Sequence, residues 1–257
     1  MPSDRAPPRS TTEPEIGRAA DVSTSLGRRG TAEAIGTAFL VAAVVGSGIF
    51  AQRLSPDDTG LQLLENSLAT AGALVALILA FGSISGAHFN PIVTLAERVL
   101  GGMTTREAVA YVLAQFGGAG AGAVVANVMF DLDPINLSTH TRSSGGLWVG
   151  EIVATFGLLM VILGVVRSGR AGTAPFAVAG YIAAAYWFTS STSFANPAVT
   201  VGRTLSDTFA GIRWSSAPAF ISAQLAGGVA AIALARYLYP DLPAADVVVP
   251  HDHAEAA

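Results

Sequence analysis

The chain of 257 residues contains no cysteine and no lysine, and only 12% of its residues are charged. Without cysteine there is no disulfide, no thiol nucleophile and no thiolate metal site. Soluble domains carry about 25% charged residues. A chain that is 51% hydrophobic and so poor in charge reads as a membrane protein instead. All fourteen basic residues are arginine, and the formal net charge is −4. That balance gives nucleic acid no footing as a partner. No nucleophile–base pair and no cluster of metal ligands stands out, so neither an enzyme nor a bound cofactor or metal is expected.

Residues 1–30 are rich in Pro, Ser, Thr and Arg and predict a disordered tail. Residues 241–257, with His251 and His253, predict a second one. The first apolar run begins near Thr31 and is too long for the apolar core of a signal peptide, so it reads as a retained membrane helix. A spanning helix needs roughly 20 mainly apolar residues. Six segments qualify, at about 31–51, 66–84, 106–130, 147–167, 174–192 and 217–239. With the N-terminus inside, ten arginines fall on inner segments and four on outer ones. The positive-inside rule then puts both termini in the cytoplasm and the chain in a plasma or inner membrane.

Two further stretches, 85–101 and 193–206, are apolar but too short to cross. Each contains Asn-Pro: "SGAHFNPIVT" from Ser85 and "TSFANPAVTV" from Thr192. Pro91 and Pro197 suit the first turn of a helix, and Asn90 and Asn196 stand at N-cap positions. Each stretch therefore predicts a re-entrant loop ending in a half-helix. The halves also repeat. Glu33 and Glu151 are 118 apart, Asn90 and Asn196 are 106 apart, and Gln115 and Gln224 are 109 apart. Three landmarks in one order indicate a duplication, with repeats at about 31–130 and 147–240. Three spans per repeat is an odd number, so the second half is inverted, and the functional site falls near the midplane. The fold expected is thus all-α: six transmembrane helices plus two re-entrant half-helices within a channel domain of residues 31–240.

Two half-helices entering from opposite faces bring their N-termini together. Each end carries about half a positive charge and free N–H groups, a barrier to cations. The oxygens of Asn90 and Asn196 are engaged in capping, which leaves their NH₂ groups to donate into the lumen. Loop carbonyls before each motif add acceptors. This chemistry suits a passive conduit for small, neutral, hydrogen-bonding solutes. Glu33 and Glu151 would accept N–H bonds from the re-entrant loops, and His88 would line the pore. An ion-coupled secondary transporter is the alternative, since it too uses inverted repeats with broken helices. The carboxylates at hand, Glu33 and Glu151, lie near helix ends and make poor ion ligands at the midplane.

The paired Asn-Pro motifs, "SGAHFNP", the two early glutamates and the six-span duplication resemble the aquaporin and aquaglyceroporin (major intrinsic protein) family over about residues 31–240. The resemblance implies the aquaporin fold and a homotetramer with one pore per subunit. Ile92 stands where the first motif usually has Ala, beside Pro91, whereas Pro197 and Ala198 keep the usual pattern. Val199 stands where the family usually has the Arg of a four-residue outer constriction. By distance from the two asparagines the resemblance places the other three positions at Thr70, Ala184 and Ser193. That constriction has no charge or aromatic and is expected to be wide. Arg203, seven residues past Asn196 and near the outer end of the half-helix, is expected at the rim. "LSTHTRS", "EIVATFGLL" and "AYWFTSSTSFANPAVT" resemble a bacterial branch associated with arsenic resistance. The resemblance implies passage of water, glycerol-like polyols and arsenite as As(OH)₃. An ordinary water channel remains the alternative.

Overall fold

Polar residues start the long helices of the computed structural model, which describes residues 24–240; the remainder of both expected tails lies outside the described residues. The described residues form eight α-helices in order: α1 (Leu26–Leu54), α2 (Thr59–Ser85), α3 (Pro91–Leu100), α4 (Thr105–Met129), α5 (Gly145–Arg167), α6 (Ala174–Phe188), α7 (Pro197–Gly202) and α8 (Ala217–Leu238). Short 3₁₀ turns occupy Ala171–Thr173, Arg203–Leu205 and Trp214–Ser216, and the described residues contain no strand. Ser25, Asp58 and Ser144 cap α1, α2 and α5 through their side-chain oxygens. Thr104 and Glu107 form a reciprocal capping box on α4.

Two expectations about the spans are corrected. Residues 26–30 belong to α1 and not to a tail. Ser25 supplies the cap, and Arg29, 1% exposed, turns inward to pair with Glu107 in the first turn of α4. A polar stretch thus joins the helix because its charge is met inside the protein. The fifth span is also shorter than expected. Among the described residues, five helices are long and apolar enough to cross a membrane, while α6 has 15 residues, about 22 Å of rise. It ends at Phe188, and Thr192 and Ser193 turn into the left-handed region at φ 64° and 51°. Their backbone leaves the helix to build a loop.

The packing is symmetric between the halves. α1 packs on α4 and α2 just as α5 packs on α8 and α6, and α3 rests on α4 as α7 rests on α8. Contacts between the halves obey the same exchange: α4 with α7, α3 with α8, α2 with α6, and α3 with α7. The sequence repeat is therefore a structural one. Large apolar residues such as Phe39, Leu68, Leu113 and Val229 remain exposed on the outer faces, as a lipid-facing surface requires.

Close helix contact depends on selected glycines. A Cβ on Gly118 or Gly122 would overlap the carbonyl oxygens of Ala34 or Ala38 on α1, and one on Gly227 would overlap that of Ile152 on α5. Gly117 and Gly120 face open space, so only every fourth position of this run sits in the seam. Gly122→Val should therefore force α1 from α4 and destabilise the protein by about 1–3 kcal/mol. Gly120→Ala should change little. Melting temperatures of both variants in detergent test this; equal values would show that the seam tolerates a side chain.

Candidate functional site where the half-helices meet

The two short helices begin in the same way. Asn90 and Asn196 have extended backbones, at φ/ψ −151°/119° and −158°/113°, and each precedes a proline in the first helical position. Asn90 Oδ1 accepts from Ile92 N at 2.9 Å. Asn196 Oδ1 accepts from Ala198 N and Val199 N at 3.0 and 3.2 Å. The extended residue before proline is forced by steric conflict with the ring, and the amide oxygen caps the N–H groups that the first turn leaves open.

The amide nitrogens are not simply left to the lumen. Asn90 Nδ2 donates to Ala195 O at 2.8 Å, and Asn196 Nδ2 donates to Phe89 O at 2.7 Å. Each asparagine reaches across and fastens the loop of the other half. One hydrogen of each NH₂ is thus committed, and the second remains for the cavity that both residues line.

The loops before the asparagines are strained in matching places. Ala87 and Phe89 have φ of 51° and 47°, and Ser193 and Ala195 have φ of 51° and 47°. Such backbone costs roughly 1–3 kcal/mol per residue and persists only where its surroundings hold it. Here the holders are the buried glutamates. Glu33 accepts from Ser85 Oγ, His88 N, Phe89 N and Gln115 Nε2 at 2.7, 3.0, 2.7 and 2.8 Å. Glu151 accepts from Phe194 N, Ala195 N and Gln224 Nε2 at 2.9, 2.9 and 2.6 Å. Gln115 also donates to Thr94 Oγ1 and Gln224 to Thr200 Oγ1, each at 2.9 Å. Each half therefore carries a Glu–Gln–Thr brace from a long helix to its loop and half-helix. The glutamines entered the sequence reading only as landmarks of the repeat; their polarity inside an apolar span was the available sign of this role.

Between the braces lies a cavity of about 60 Å³. Leu40, Val44, Leu74, Ile78, Leu158, Ile162, Val178 and Ile182 give it an apolar wall. His88, Asn90, Asn196, Ser193, Thr70, Tyr186 and Arg203 supply polar groups. His88 lines the cavity with its Nδ1 3.0 Å from Thr94 Oγ1 and its Nε2 2.7 Å from Glu97 Oε2. Both ring nitrogens are held by the protein.

Of the four residues assigned to the constriction, Thr70, Ser193 and Val199 line the cavity. Ala184 does not. It is exposed on the outside of α6, and Tyr186, two residues on, takes the inward place with its hydroxyl 3.1 Å from Thr70 Oγ1. Counting back from Asn196 fails because the loop after Phe188 turns sharply through left-handed residues. Pro91, Ile92, Pro197 and Ala198 are buried but stand off the cavity. Ile92 fits because Gly228 on α8 faces it: a Cβ there would lie 2.7 Å from Ile92 Cγ2. Its larger side chain is absorbed by the neighbouring helix and leaves the lumen unchanged.

Arg203 also departs from the rim position that its place in the sequence suggests. It is 2% exposed and forms part of the cavity wall. The segment between α4 and α5 folds over this end. Asn136 N and Ser138 N donate to Leu205 O and Thr204 O at 3.0 and 2.9 Å. Arg142 Nε donates to Gly211 O at 2.9 Å, with its Cζ 5.3 Å from the Phe194 ring centroid. Desolvation holds the Arg142 guanidinium below its ordinary pKa, while Glu151 and Tyr186 act in the opposite direction. No group of three or more potential metal-ligating side chains occurs among the described residues.

The chain resembles known proteins in sequence and fold. The sequence model of the major intrinsic protein family matches residues 21–191. The chain is 50% identical over 213 residues to "Aquaglyceroporin AqpS" of Rhizobium meliloti (strain 1021), covering 83% of this chain and 91% of the relative. It is 33% identical over 242 residues to "Probable aquaporin AqpM" of Archaeoglobus fulgidus, covering 83% and 98%. The X-ray structure of the aquaglyceroporin from Plasmodium falciparum superposes with a TM-score of 0.65 at 21% identity, over 85% of this chain and 97% of the other. Paired half-helices on a duplicated helical frame, joined to these similarities, establish that the chain belongs to the major intrinsic protein family.

Proposed function

We propose that this chain is a passive membrane channel for small uncharged solutes: water, glycerol-like polyols and arsenite as As(OH)₃. The reading rests on one observation above all. Two capped half-helix N-termini meet at Asn90 and Asn196, beside a cavity with an apolar wall and a sparse set of polar groups. Each end brings a partial positive charge to one region, which opposes cations without hindering neutral solutes. A polyol or As(OH)₃ would exchange its water for the free amide hydrogens and the hydroxyls of Thr70, Tyr186 and Ser193. The name of the relative from R. meliloti, an aquaglyceroporin, supports the same solute class. The proposal includes both termini in the cytoplasm and four subunits with one pore each.

A specific observation also favours an ordinary water channel. Tyr186 and Arg203 bring an aromatic ring and a cation to the end where the sequence promised only small side chains. Both side chains belong to the cavity wall. Ion coupling is the least supported reading, because Glu33 and Glu151 are 0% exposed and already occupied with loop N–H groups and glutamines.

Stopped-flow light scattering of proteoliposomes compares water, glycerol, urea and As(OH)₃, with and without an ion gradient. Facilitated glycerol and As(OH)₃ flux, indifferent to the gradient, is the expected result; gradient-driven accumulation would sink the channel reading, and water flux alone would favour the narrower one. Val199→Arg adds a guanidinium to the cavity wall. It should lower glycerol and As(OH)₃ flux by about tenfold, ~1.4 kcal/mol of barrier, and water flux by less. Unchanged flux of the larger solutes would show that Val199 does not face their path.

A further inference from the structure

Arg203 stands seven positions after Asn196 (203 − 196 = 7) and four after Val199 (203 − 199 = 4). Residues four apart share a helix face, and a helical side chain leans back over the preceding turn. Arg203 closes α7 with helical φ/ψ of −68° and −12°. Its side chain is therefore carried toward the turn of Val199, and a small apolar residue there leaves room for it.

The contacts agree with that geometry. Arg203 Nε donates to the Ala210 carbonyl. Its Cζ lies 3.4 Å from the centroid of the Phe194 ring. Nε is the one nitrogen of this side chain with a protein acceptor among the described residues. No carboxylate forms an ion pair with Arg203 among the described residues. In the same cavity wall, Ser193 Oγ is buried with no hydrogen-bond partner among the described residues.

The repeat sharpens the point. Glu97 stands seven positions after Asn90 (97 − 90 = 7), and it too is buried. Glu97 turns back to His88, two residues before its asparagine, just as Arg203 turns back to Phe194, two residues before its own. In the first half the charge meets an imidazole that can carry the opposite sign. In the second half it meets a phenyl face, which attracts a cation but supplies no counter-charge. The charge on the cavity wall without an ion-pair partner among the described residues is therefore positive.

We propose that Arg203 is the specificity-determining cation of the conduit, a role that the residue directly after Asn-Pro-Ala does not supply here; this rests on the channel reading above. A fixed guanidinium in a water-poor passage repels protons and metal cations, and its terminal N–H groups donate to the oxygens of neutral solutes. Anchoring at Nε and stacking on Phe194 hold it against the wall, so it guards the path without filling it.

The test measures proton permeability with a pH-sensitive dye and glycerol flux by light scattering, in liposomes carrying the full chain. Arg203→Leu should raise the ratio of proton to glycerol permeability by about tenfold or more. Adding Val199→Arg to Arg203→Leu should bring the proton permeability itself back toward wild type. A ratio unchanged in Arg203→Leu, or a proton permeability equally raised in the double variant, overturns the proposal. If Arg203→Leu fails to fold, by size exclusion and melting, Arg203→Lys replaces it. The lysine keeps the charge and should keep the low ratio; a rise in folded Arg203→Lys rejects charge as the cause. Wild-type liposomes without solute flux refute the channel reading itself. Wild-type flux beside an unchanged Arg203→Leu ratio refutes only the role of Arg203.

Discussion

Glu151→Leu will abolish solute flux and destabilise the protein by about 3–5 kcal/mol, on the scale expected when a buried polar network loses a shared member. The carboxylate is 0% exposed, and its two oxygens receive Phe194 N, Ala195 N and Gln224 Nε2. Leucine fills similar space but leaves two backbone N–H groups and one amide without these acceptors. Each such group costs about 1–3 kcal/mol when it stays buried. The loop has no cheaper conformation in place, because Ser193 and Ala195 are held at positive φ. Once it relaxes, the Ala195 carbonyl is lost to Asn90, and the link between the halves goes with it. Glu151→Gln separates shape from chemistry. It keeps one oxygen but turns an NH₂ toward groups that are themselves donors, so it should fall between wild type and leucine. Melting temperature and stopped-flow glycerol uptake check the series. Wild-type uptake in folded Glu151→Leu would mean that the loop is held by something else.

The parts of this design that sequence reveals are those with a repeat or a periodicity behind them. The long helices follow from runs of apolar residues, and the half-helices follow from Asn-Pro, because proline fixes φ and asparagine caps. The pairing of Glu33 with Glu151 was visible because a carboxylate inside an apolar span is conspicuous. What stayed hidden depended on direction. α6 is apolar on every side, so nothing in its composition told Ala184 from Tyr186 as the inward residue. The hydroxyl of Tyr186 was the only hint, since a buried tyrosine seeks a partner and finds Thr70. Arg203 read as a rim residue by its distance along the chain. Its four-residue spacing from Val199 held the opposite message, yet only the fold shows Phe194 and Ala210 waiting for it. Ile92 looked like a change in the pore, and its consequence lies with Gly228, 136 residues away (228 − 92 = 136) in the other half. For Tyr186 and Ile92 the deciding neighbour comes from a distant segment, and periodicity carries no information about it.

Asn196→Asp should weaken the link between the halves and lower flux. Aspartate is as good an N-cap as asparagine, so one oxygen continues to accept from Ala198 N and Val199 N. The other oxygen replaces Nδ2, which donates to Phe89 O at 2.7 Å. A carboxylate oxygen there faces a carbonyl oxygen, acceptor against acceptor, so the bond between the halves is lost and the buried Phe89 carbonyl loses its donor. A buried polar group left without its partner costs about 1–3 kcal/mol. Melting temperature in detergent and stopped-flow glycerol uptake of the variant should both fall below wild type. Wild-type values of both in Asn196→Asp would show that the Phe89 carbonyl is held without the asparagine, and that the two halves of the channel are joined by packing rather than by their paired amides.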